Sequence, residues 1–168
     1  QQIVRVDIPL LKEVHDEHRL HKFNEYDAVV ISDYNKGYVS TFAIQSILES
    51  YDGPVFIDTK KQDLKLLGKA FEKINQYEYE NRISDAENMI VTFGSEKVVY
   101  KDRLYLPPKV DAHDVCGAGD TFLAALVYDY LQTDNIEKAI EFAMKAAAVT
   151  VQHVGVYAPR IGEIRNAA

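Results

Sequence analysis

A short run of small residues followed by an acid carries the clearest chemical signal in the sequence. Residues 114–122 read Asp-Val-Cys-Gly-Ala-Gly-Asp-Thr-Phe, and an apolar pattern typical of a helix begins where the glycines stand. Free N–H groups at the N-terminus of a helix, together with the helix dipole, stabilise anionic oxygens, and glycines let a ligand approach the backbone closely. The segment therefore predicts an anion-binding turn whose amides come from Gly117, Ala118 and Gly119.

Asp120 directly follows this turn, in the first turn of the predicted helix. A carboxylate beside a bound phosphate can accept the proton of an attacking hydroxyl, and phosphoryl transfer needs mainly positioning and charge stabilisation. We therefore interpret Asp120 as a catalytic base. Taken alone, Gly-Ala-Gly-Asp also fits an ordinary helix N-terminus with an acidic residue, and its spacing matches neither a Walker A loop nor a dinucleotide fingerprint.

The elements before this segment predict a parallel sheet. Four short apolar runs each end in polar residues, and they lie at residues 27–32, 54–57, 71–74 and 89–92. A helix is expected at 40–50, with Ser40 as its N-cap. Continuous apolar strands that alternate with helices are typical of a parallel sheet covered on both faces, and ligands of such sheets bind at the C-terminal ends of the strands. The polar clusters after the strands should therefore lie at one edge and line a site.

The rest of the chain predicts further elements of the same domain. We expect a strand at 2–8, a helix with a loop at 10–24, a β-hairpin at 97–101 and 103–106, and helices at 117–131 and 136–151. Asp134 and Glu137 have the spacing of a capping box for the last helix, and Gly155 is placed to end it. We find no internal repeat or linker, so residues 1–168 are interpreted as one α/β domain.

Composition and charge narrow the classes of partner. The net charge is −7 and the pI about 5.2, which disfavours nucleic acid or an anionic membrane but not a small anionic substrate. The one cysteine, Cys116, cannot form an internal disulfide, and Gln1–Asp7 does not have the pattern of a signal peptide. We therefore expect a cytoplasmic protein. Cys116, His113, Asp114 and His153 fit no zinc spacing.

The longer string at 114–126, Asp-Val-Cys-Gly-Ala-Gly-Asp-Thr-Phe-Leu-Ala-Ala-Leu, resembles the C-terminal signature of PfkB-type, ribokinase-like carbohydrate kinases. The resemblance implies a three-layer α/β/α fold with a mostly parallel sheet, and transfer of the ATP γ-phosphate to a sugar hydroxyl. It implies that Asp120 deprotonates that hydroxyl. The amides of Gly117, Ala118 and Gly119 would then form the anion hole for the γ-phosphate.

Two further motifs are similar to motifs of this family. Asn75-Gln-Tyr-Glu78 resembles an Asn-x-x-Glu motif, which implies that Asn75 and Glu78 organise Mg²⁺ and phosphate, largely through water. Val91-Thr-Phe-Gly94 resembles a strand end at which Thr92 and Gly94 line the nucleotide site. The loop at 111–115 is similar to one that holds K⁺ in some ribokinase-like enzymes, through backbone carbonyls. The alternative for the motifs at 75–78 and 91–94 is that they are ordinary polar strand ends without a function.

Residues 32–37 and 57–60 resemble loops of the heptose 7-phosphate kinases. In that case Lys36 and Lys60 would contact phosphates of the nucleotide or the sugar, as mobile point charges. Two ordinary surface lysines remain the alternative. Other acceptors within the family are ribose, fructose 6-phosphate or a nucleoside, and a non-catalytic remnant that binds nucleotide or a partner is a different class of function.

Three departures from the family qualify the resemblance. The family's N-terminal part, with most sugar contacts and a β-lid that dimerises many members, has no counterpart in this chain. The stretch 78–91 is shorter than in typical members, and Met144 stands where many have an Asn near the adenine, which puts the adenine contact in doubt. We expect an unpaired sheet edge, self-association into a homo-oligomer and weak ATP binding by this chain alone.

Overall fold

The computed structural model describes residues 23–65, 70–84 and 86–167. The strand predicted at 2–8 and most of the helix predicted at 10–24 lie outside these residues. The described strands form one six-stranded sheet in the order β1 to β6. They are β1 Val29–Asp33, β2 Val55–Thr59, β3 Ala70–Asn75, β4 Met89–Thr92, β5 Val98–Tyr100 and β6 Arg103–Tyr105.

The sheet is parallel from β1 to β4 and antiparallel from there to β6. The first four strands are the four apolar runs of the sequence, each shifted by two residues at most. The hairpin of β5 and β6 is the one predicted around Asp102. Because β1 to β4 run in the same direction, their polar C-terminal residues lie along one edge of the sheet.

Five helices accompany the described strands. They are α1 Thr41–Ser50, α2 Gln76–Glu80, α3 Ala118–Thr133, α4 Ile136–Thr150 and α5 Ile161–Asn166. Helix α1 packs on one face of the sheet, where Ile44 and Ile47 meet Val29, Ile31 and other β1 and β2 side chains. Helices α3, α4 and α5 cover the other face through Phe56, Ile90 and the β5 residues. The predicted three-layer α/β/α architecture is confirmed.

Of the two N-caps predicted from the sequence, for α1 and α4, the structure confirms one. The Ser40 side chain accepts a hydrogen bond from the Ala43 amide at 3.0 Å, so the predicted N-cap of α1 is confirmed. The predicted cap of α4 at Asp134 is wrong. Asn135 caps α4 by accepting from the Lys138 amide at 3.0 Å, while Asp134 adopts a left-handed conformation (φ 49°) that ends α3. Only Asp134 and Asn135 separate α3 from α4, so the first ends one helix and the second begins the other.

Gly155 does not end α4 as predicted. The helix stops at Thr150, and Val151 closes it in a right-handed conformation. Gly155 lies further along the following loop, with φ 78°. Its amide donates to the Asp114 carboxylate at 2.9 Å. The glycine therefore serves a loop contact with the anion-binding segment.

A buried ion pair lies beneath the loop that follows β2. Glu72 of β3 is fully buried and pairs with the guanidinium of Arg82. Arg82 also donates to the backbone carbonyls of Lys61, Leu64 and Ser84. The arginine thus ties the β2–β3 loop to the segment after α2. Burial raises the pKa of the Glu72 carboxyl to about 7, and the Arg82 charge opposes this rise.

Candidate active site

The C-terminal ends of β1, β2 and β3 meet the N-terminus of α3 around one cavity of about 150 Å³. A cavity of this size has room for a phosphoryl group and a few waters, each of which takes about 30 Å³. The residues that line it come from the ends of β1, β2 and β3, from α2 and from the start of α3: Ser32, Asp33, Tyr34, Asp58, Lys60, Lys73, Asn75, Glu78, Gly117, Gly119 and Asp120. The prediction that the strand-end clusters converge is confirmed for β1, β2 and β3, whereas the cluster after β4 does not line the cavity.

Helix α3 begins at the predicted glycine turn. Gly117 precedes the helix with φ 77°, a left-handed conformation that L side chains rarely adopt, and a β-carbon there would lie 3.3 Å from Val156. No side chain caps this helix. Within the described part of the chain, the amides of Gly117 and Gly119 have no hydrogen-bond acceptor. They are available to an anion, as expected for a helix N-terminus that binds one.

The amide of Ala118 differs from its neighbours. It donates to the carbonyl of Val115 at 3.3 Å, so this amide already has a partner. The bond closes the turn that precedes α3. Of the three amides predicted for the anion hole, the structure therefore leaves those of the two glycines accessible.

Asp114 braces the anion-binding turn. Its carboxylate accepts from the Cys116 amide at 3.0 Å and from the Gly155 amide at 2.9 Å. These two backbone hydrogen bonds, the Cys116 bond first, lower the pKa of the Asp114 carboxyl below its ordinary value. The first residue of the signature therefore has a structural task, which is to hold the turn against the loop after α4.

A lysine that the sequence analysis did not identify lies in the cavity. Lys73 of β3 is buried, and its ammonium is 2.6 Å from the carboxylate of Asp58 on β2. A β-carbon built on Gly119 would lie 3.1 Å from the same nitrogen. Burial raises the pKa of the Asp58 carboxyl, and the Lys73 charge opposes this rise. The cavity thus places a positive charge directly beside the backbone of the glycine turn.

The Asn-x-x-Glu spacing is a capping box. The Asn75 side chain accepts from the Glu78 amide at 2.9 Å, and the Glu78 carboxylate accepts from the Asn75 amide at 2.9 Å. The second Glu78 oxygen is 3.3 Å from the ammonium of Lys60. Both side chains are held at the mouth of the cavity by α2 itself. One carboxylate oxygen of Glu78 therefore faces Lys60 and is free of the capping box.

Asp120 is exposed and lines the cavity, with its carboxylate directed away from the core. The hydroxyl of Tyr34, from the loop after β1, donates to its Oδ1 at 3.4 Å. The Asp120 charge, first among the causes, raises the pKa of the Tyr34 hydroxyl. The candidate base therefore shares the cavity with the glycine amides and the Lys73 ammonium.

Some predicted site residues do not line this cavity. Thr92 is the register partner of Asn75, but its hydroxyl donates to the Ile74 carbonyl at 3.2 Å. Gly94 forms the turn after β4 with φ 57° and is exposed. Lys36 lies on the same loop as Tyr34, outside the cavity lining. Their nucleotide contacts stay predictions.

Met144, which the sequence places near the adenine, does not line the cavity. Met144 is buried in the core between the sheet and α3, which leaves it outside the cavity lining. Among the described residues, no three His, Cys, Asp or Glu side chains lie close enough to hold a metal ion. A Mg²⁺ ion in this cavity would accordingly depend on water and phosphate oxygens as well as protein, which is its usual mode with nucleotides.

The sequence analysis assigned no role to five residues that line the cavity, which are Ser32, Asp33, Tyr34, Asp58 and Lys73. Tyr34 and Asp58 stood in polar clusters that were identified, but no role was assigned to either. Lys73 interrupts the apolar run of β3 two residues before Asn75. A lysine inside an otherwise apolar strand is the signal that could have found it, because a buried lysine needs a partner.

The fold assigns the chain to the three-layer α/β proteins whose ligands bind at the carboxyl edge of a parallel sheet. A family model described as "pfkB family carbohydrate kinase" matches residues 40–161. The chain therefore belongs to the pfkB family of carbohydrate kinases. The matched range includes the cavity residues from Asp58 to Asp120.

Curated relatives align with almost the whole of this chain, but the alignment covers only part of their own length. The bifunctional protein HldE of a Nitratiruptor species is 32% identical over 196 residues, which cover 99% of this chain and 42% of that protein. The protein of the same name from Helicobacter acinonychis is 28% identical over 98% of this chain and 43% of its own length. The chain thus spans less than half of the relatives it matches.

Solved structures share the fold at low sequence identity. A ribokinase from Thermotoga maritima superposes with a TM-score of 0.67 at 20% identity, over 88% of this chain and 58% of that one. Phosphofructokinase-2 from Escherichia coli, solved with substrates and products, has a TM-score of 0.71 at 16% identity, over 98% and 65%. The ribokinase-like fold is confirmed. Separately, none of the helices in the described residues is long and apolar enough to cross a membrane.

Proposed function

We propose that this chain forms the phosphoryl-transfer part of a larger ATP-dependent carbohydrate kinase. One observation carries the proposal. The exposed carboxylate of Asp120 lines the same cavity as the amides of Gly117 and Gly119 and the ammonium of Lys73. Donors for a transferring phosphate and an acceptor for a proton are thus within one small volume, which is what phosphoryl transfer requires of a protein.

Each group has a defined task in the proposed reaction. The two glycine amides and the dipole of α3 hold the γ-phosphate oxygens. Lys73 neutralises the charge that spreads over those oxygens in the transition state, and Asp58 keeps its ammonium in place. Asp120 takes the proton from the attacking sugar hydroxyl. Lys60 at the mouth is suited to the α- or β-phosphate or to an anionic sugar.

The capping box of α2 supports a magnesium role for Glu78. Its Oε2 is committed to the Asn75 amide, so Oε1 is the oxygen left to face the cavity and a hydrated cation. Mg²⁺ supplies charge neutralisation between the phosphates when it is bound. Asn75 positions Glu78, and Lys60 would exchange its contact with Glu78 for one with phosphate.

The acceptor is the finer part of the proposal. The resemblance of residues 32–37 and 57–60 to heptose 7-phosphate kinases supports an anionic sugar, and Lys60 at the mouth supplies matching charge.

K⁺ near 111–115 remains part of the proposal by analogy with the family, and one solved relative, phosphofructokinase-2, is described in complex with potassium. The single cysteine favours a reducing compartment and so the cytoplasm.

The test is a kinase assay on the longer protein that carries this chain. ATP and Mg²⁺ would be supplied with heptose 7-phosphate, ribose, fructose 6-phosphate and a nucleoside in parallel, and ADP release measured. We expect turnover with a sugar phosphate above all. Turnover with none of the four, while ATP still binds, would favour the non-catalytic alternative.

A further inference from the structure

The phenolic hydroxyl of Tyr34 donates a hydrogen bond to the candidate catalytic base, Asp120. Its hydroxyl lies 3.4 Å from Asp120 Oδ1, although 86 positions separate the two residues in the sequence. Both line the cavity that holds the accessible amides of Gly117 and Gly119. An O–H group that donates to the base, beside a site for a phosphoryl group, is the geometry expected of an acceptor in phosphoryl transfer.

The loop that carries Tyr34 is anchored on both sides of this residue. The buried Asp33 carboxylate accepts from the Asn35 amide at 2.9 Å and from the Thr59 hydroxyl at 2.9 Å. The Lys61 ammonium reaches the Asn35 side chain at 3.1 Å. Because the loop is fixed at Asp33 and Asn35, the backbone of Tyr34 is held at the rim and its side chain is directed over the cavity.

The surroundings of Tyr34 suit an acceptor hydroxyl. The Asp120 charge raises the pKa of the Tyr34 phenol, so the resting hydroxyl keeps its proton and would give it to the carboxylate only as the bond to phosphorus forms. The Lys60 ammonium lies 5.5 Å from the centre of the Tyr34 ring. A cation over the face of an aromatic ring attracts it and helps to hold the ring in place.

We propose that Tyr34 is itself a phosphoryl acceptor of this site, so that the chain phosphorylates its own Tyr34 when a nucleoside triphosphate is bound and no sugar hydroxyl competes. The proposal rests on the proposed function, because it uses the same base and the same phosphate-binding amides. It adds a modification site and an activity that does not depend on a sugar.

The step balances without any further reactant. The Tyr34 oxygen forms a bond to the γ-phosphorus, and its proton moves to the Asp120 carboxylate. The bond from the γ-phosphorus to the bridging oxygen breaks, and ADP leaves with that electron pair. The proton on Asp120 then passes to water, which restores the base.

The modification would weaken further nucleotide binding by the same chain. A phosphotyrosine carries about −1.5 to −2 charges at neutral pH. It would stand at the mouth of a cavity that already contains the carboxylates of Asp58, Glu78 and Asp120. Repulsion between the new phosphate and the triphosphate of a second ATP should weaken nucleotide binding, and the modified chain should therefore bind ATP less tightly than the unmodified chain.

The experiment is incubation of the longer protein that carries this chain with millimolar ATP and Mg²⁺, without sugar, followed by intact-mass and peptide mass spectrometry. ATP binding is measured by calorimetry on the same sample. We expect one added phosphoryl group, on the peptide that contains Tyr34. Tyr34→Phe should abolish it, and Asp120→Asn should slow it by about 10²-fold or more, the usual contribution of a general base.

Tyr38→Phe is the matched control, since Tyr38 lies on the same loop, is exposed and does not line the cavity. This variant should be labelled like the unaltered chain. ATP binding without any phosphate on Tyr34 would overturn the inference and leave the proposed function standing. Labelling that persists in Asp120→Asn at an equal rate would also overturn it, because another kinase would then be responsible. Absence of ATP binding would count against both.

Discussion

The ammonium of Lys73 lies against the backbone of Gly119, close enough that a β-carbon on Gly119 would stand 3.1 Å from Lys73 Nζ. Gly119 does not have a positive φ, unlike Gly117. The two glycines of the turn are therefore required for different reasons. Gly117 supplies a left-handed conformation, whereas Gly119 leaves the space in which a buried cation approaches the helix N-terminus.

Gly119→Ala should separate stability from ligand binding. Alanine favours a helix over glycine by up to about 1 kcal/mol, which offsets the cost of moving the buried Lys73 ammonium, so the free energy of unfolding should change little. ATP binding should weaken by about tenfold, because a displaced ammonium loses a charge-assisted hydrogen bond of about 1.5 kcal/mol. Urea unfolding and calorimetric titration with ATP measure the two effects, both on the longer protein that carries this chain.

Gly162→Ala is the control for this substitution, since Gly162 lies in α5 and nothing is within 4 Å of a β-carbon there. It should leave ATP binding unchanged. If Gly119→Ala binds ATP as tightly as the unaltered chain, Lys73 has no part in holding the phosphate.

Asp120→Asn tests the base in the longer protein that carries this chain. An amide keeps the size of the side chain but cannot take a proton, so kcat should fall by about 10²–10⁴-fold with little change in ATP affinity. Steady-state kinetics and nucleotide titration check both. Asp102→Asn, an exposed acid in the β5–β6 turn, is the control and should retain full activity. Equal activity of both variants would remove Asp120 from this role.

Arg82→Leu should destabilise the chain by about 3–5 kcal/mol, because the fully buried Glu72 would lose its ion-pair partner. Denaturant unfolding monitored by circular dichroism gives the value. Arg103→Leu is matched to it, since Arg103 pairs with Glu137 in an exposed position, and its loss should cost far less stability than the loss of Arg82. If the two variants lost similar amounts of unfolding free energy, burial would not explain the contribution of the Glu72–Arg82 pair.

The same buried carboxyl should make stability depend on pH. Burial raises the pKa of Glu72 from 4.5 to about 7, so between these values the folded chain binds the proton more tightly than the unfolded chain does. The contribution of Glu72 to stability is therefore fully present below about 4.5 and is lost as the pH rises through about 7. Unfolding curves across this window should show the slope, and Glu72→Gln should remove it. An unchanged slope in that variant would assign the pH dependence to other groups.

Local signals accounted for most of the fold. The four apolar runs with polar ends gave the parallel strands, because a strand buried on both faces leaves a continuous apolar run in the sequence. Ser40 gave the start of α1 for a similar reason, since a cap contacts an amide only three residues away. The cap at Asn135 could not be separated from Asp134 in this way, because either residue can cap a helix and packing of α3 on α4 fixed the choice.

By itself, the sequence determined that a glycine turn opens a helix, that Asp120 follows this turn, and that polar strand ends share an edge. All of these depend on residues that are close in the chain or on a rule of parallel sheets. Only the tertiary structure decided that Lys73 pairs with Asp58 and that Tyr34 reaches Asp120. Those contacts depend on strand register and on how α3 sits against the sheet edge, and no local pattern in the sequence encodes either.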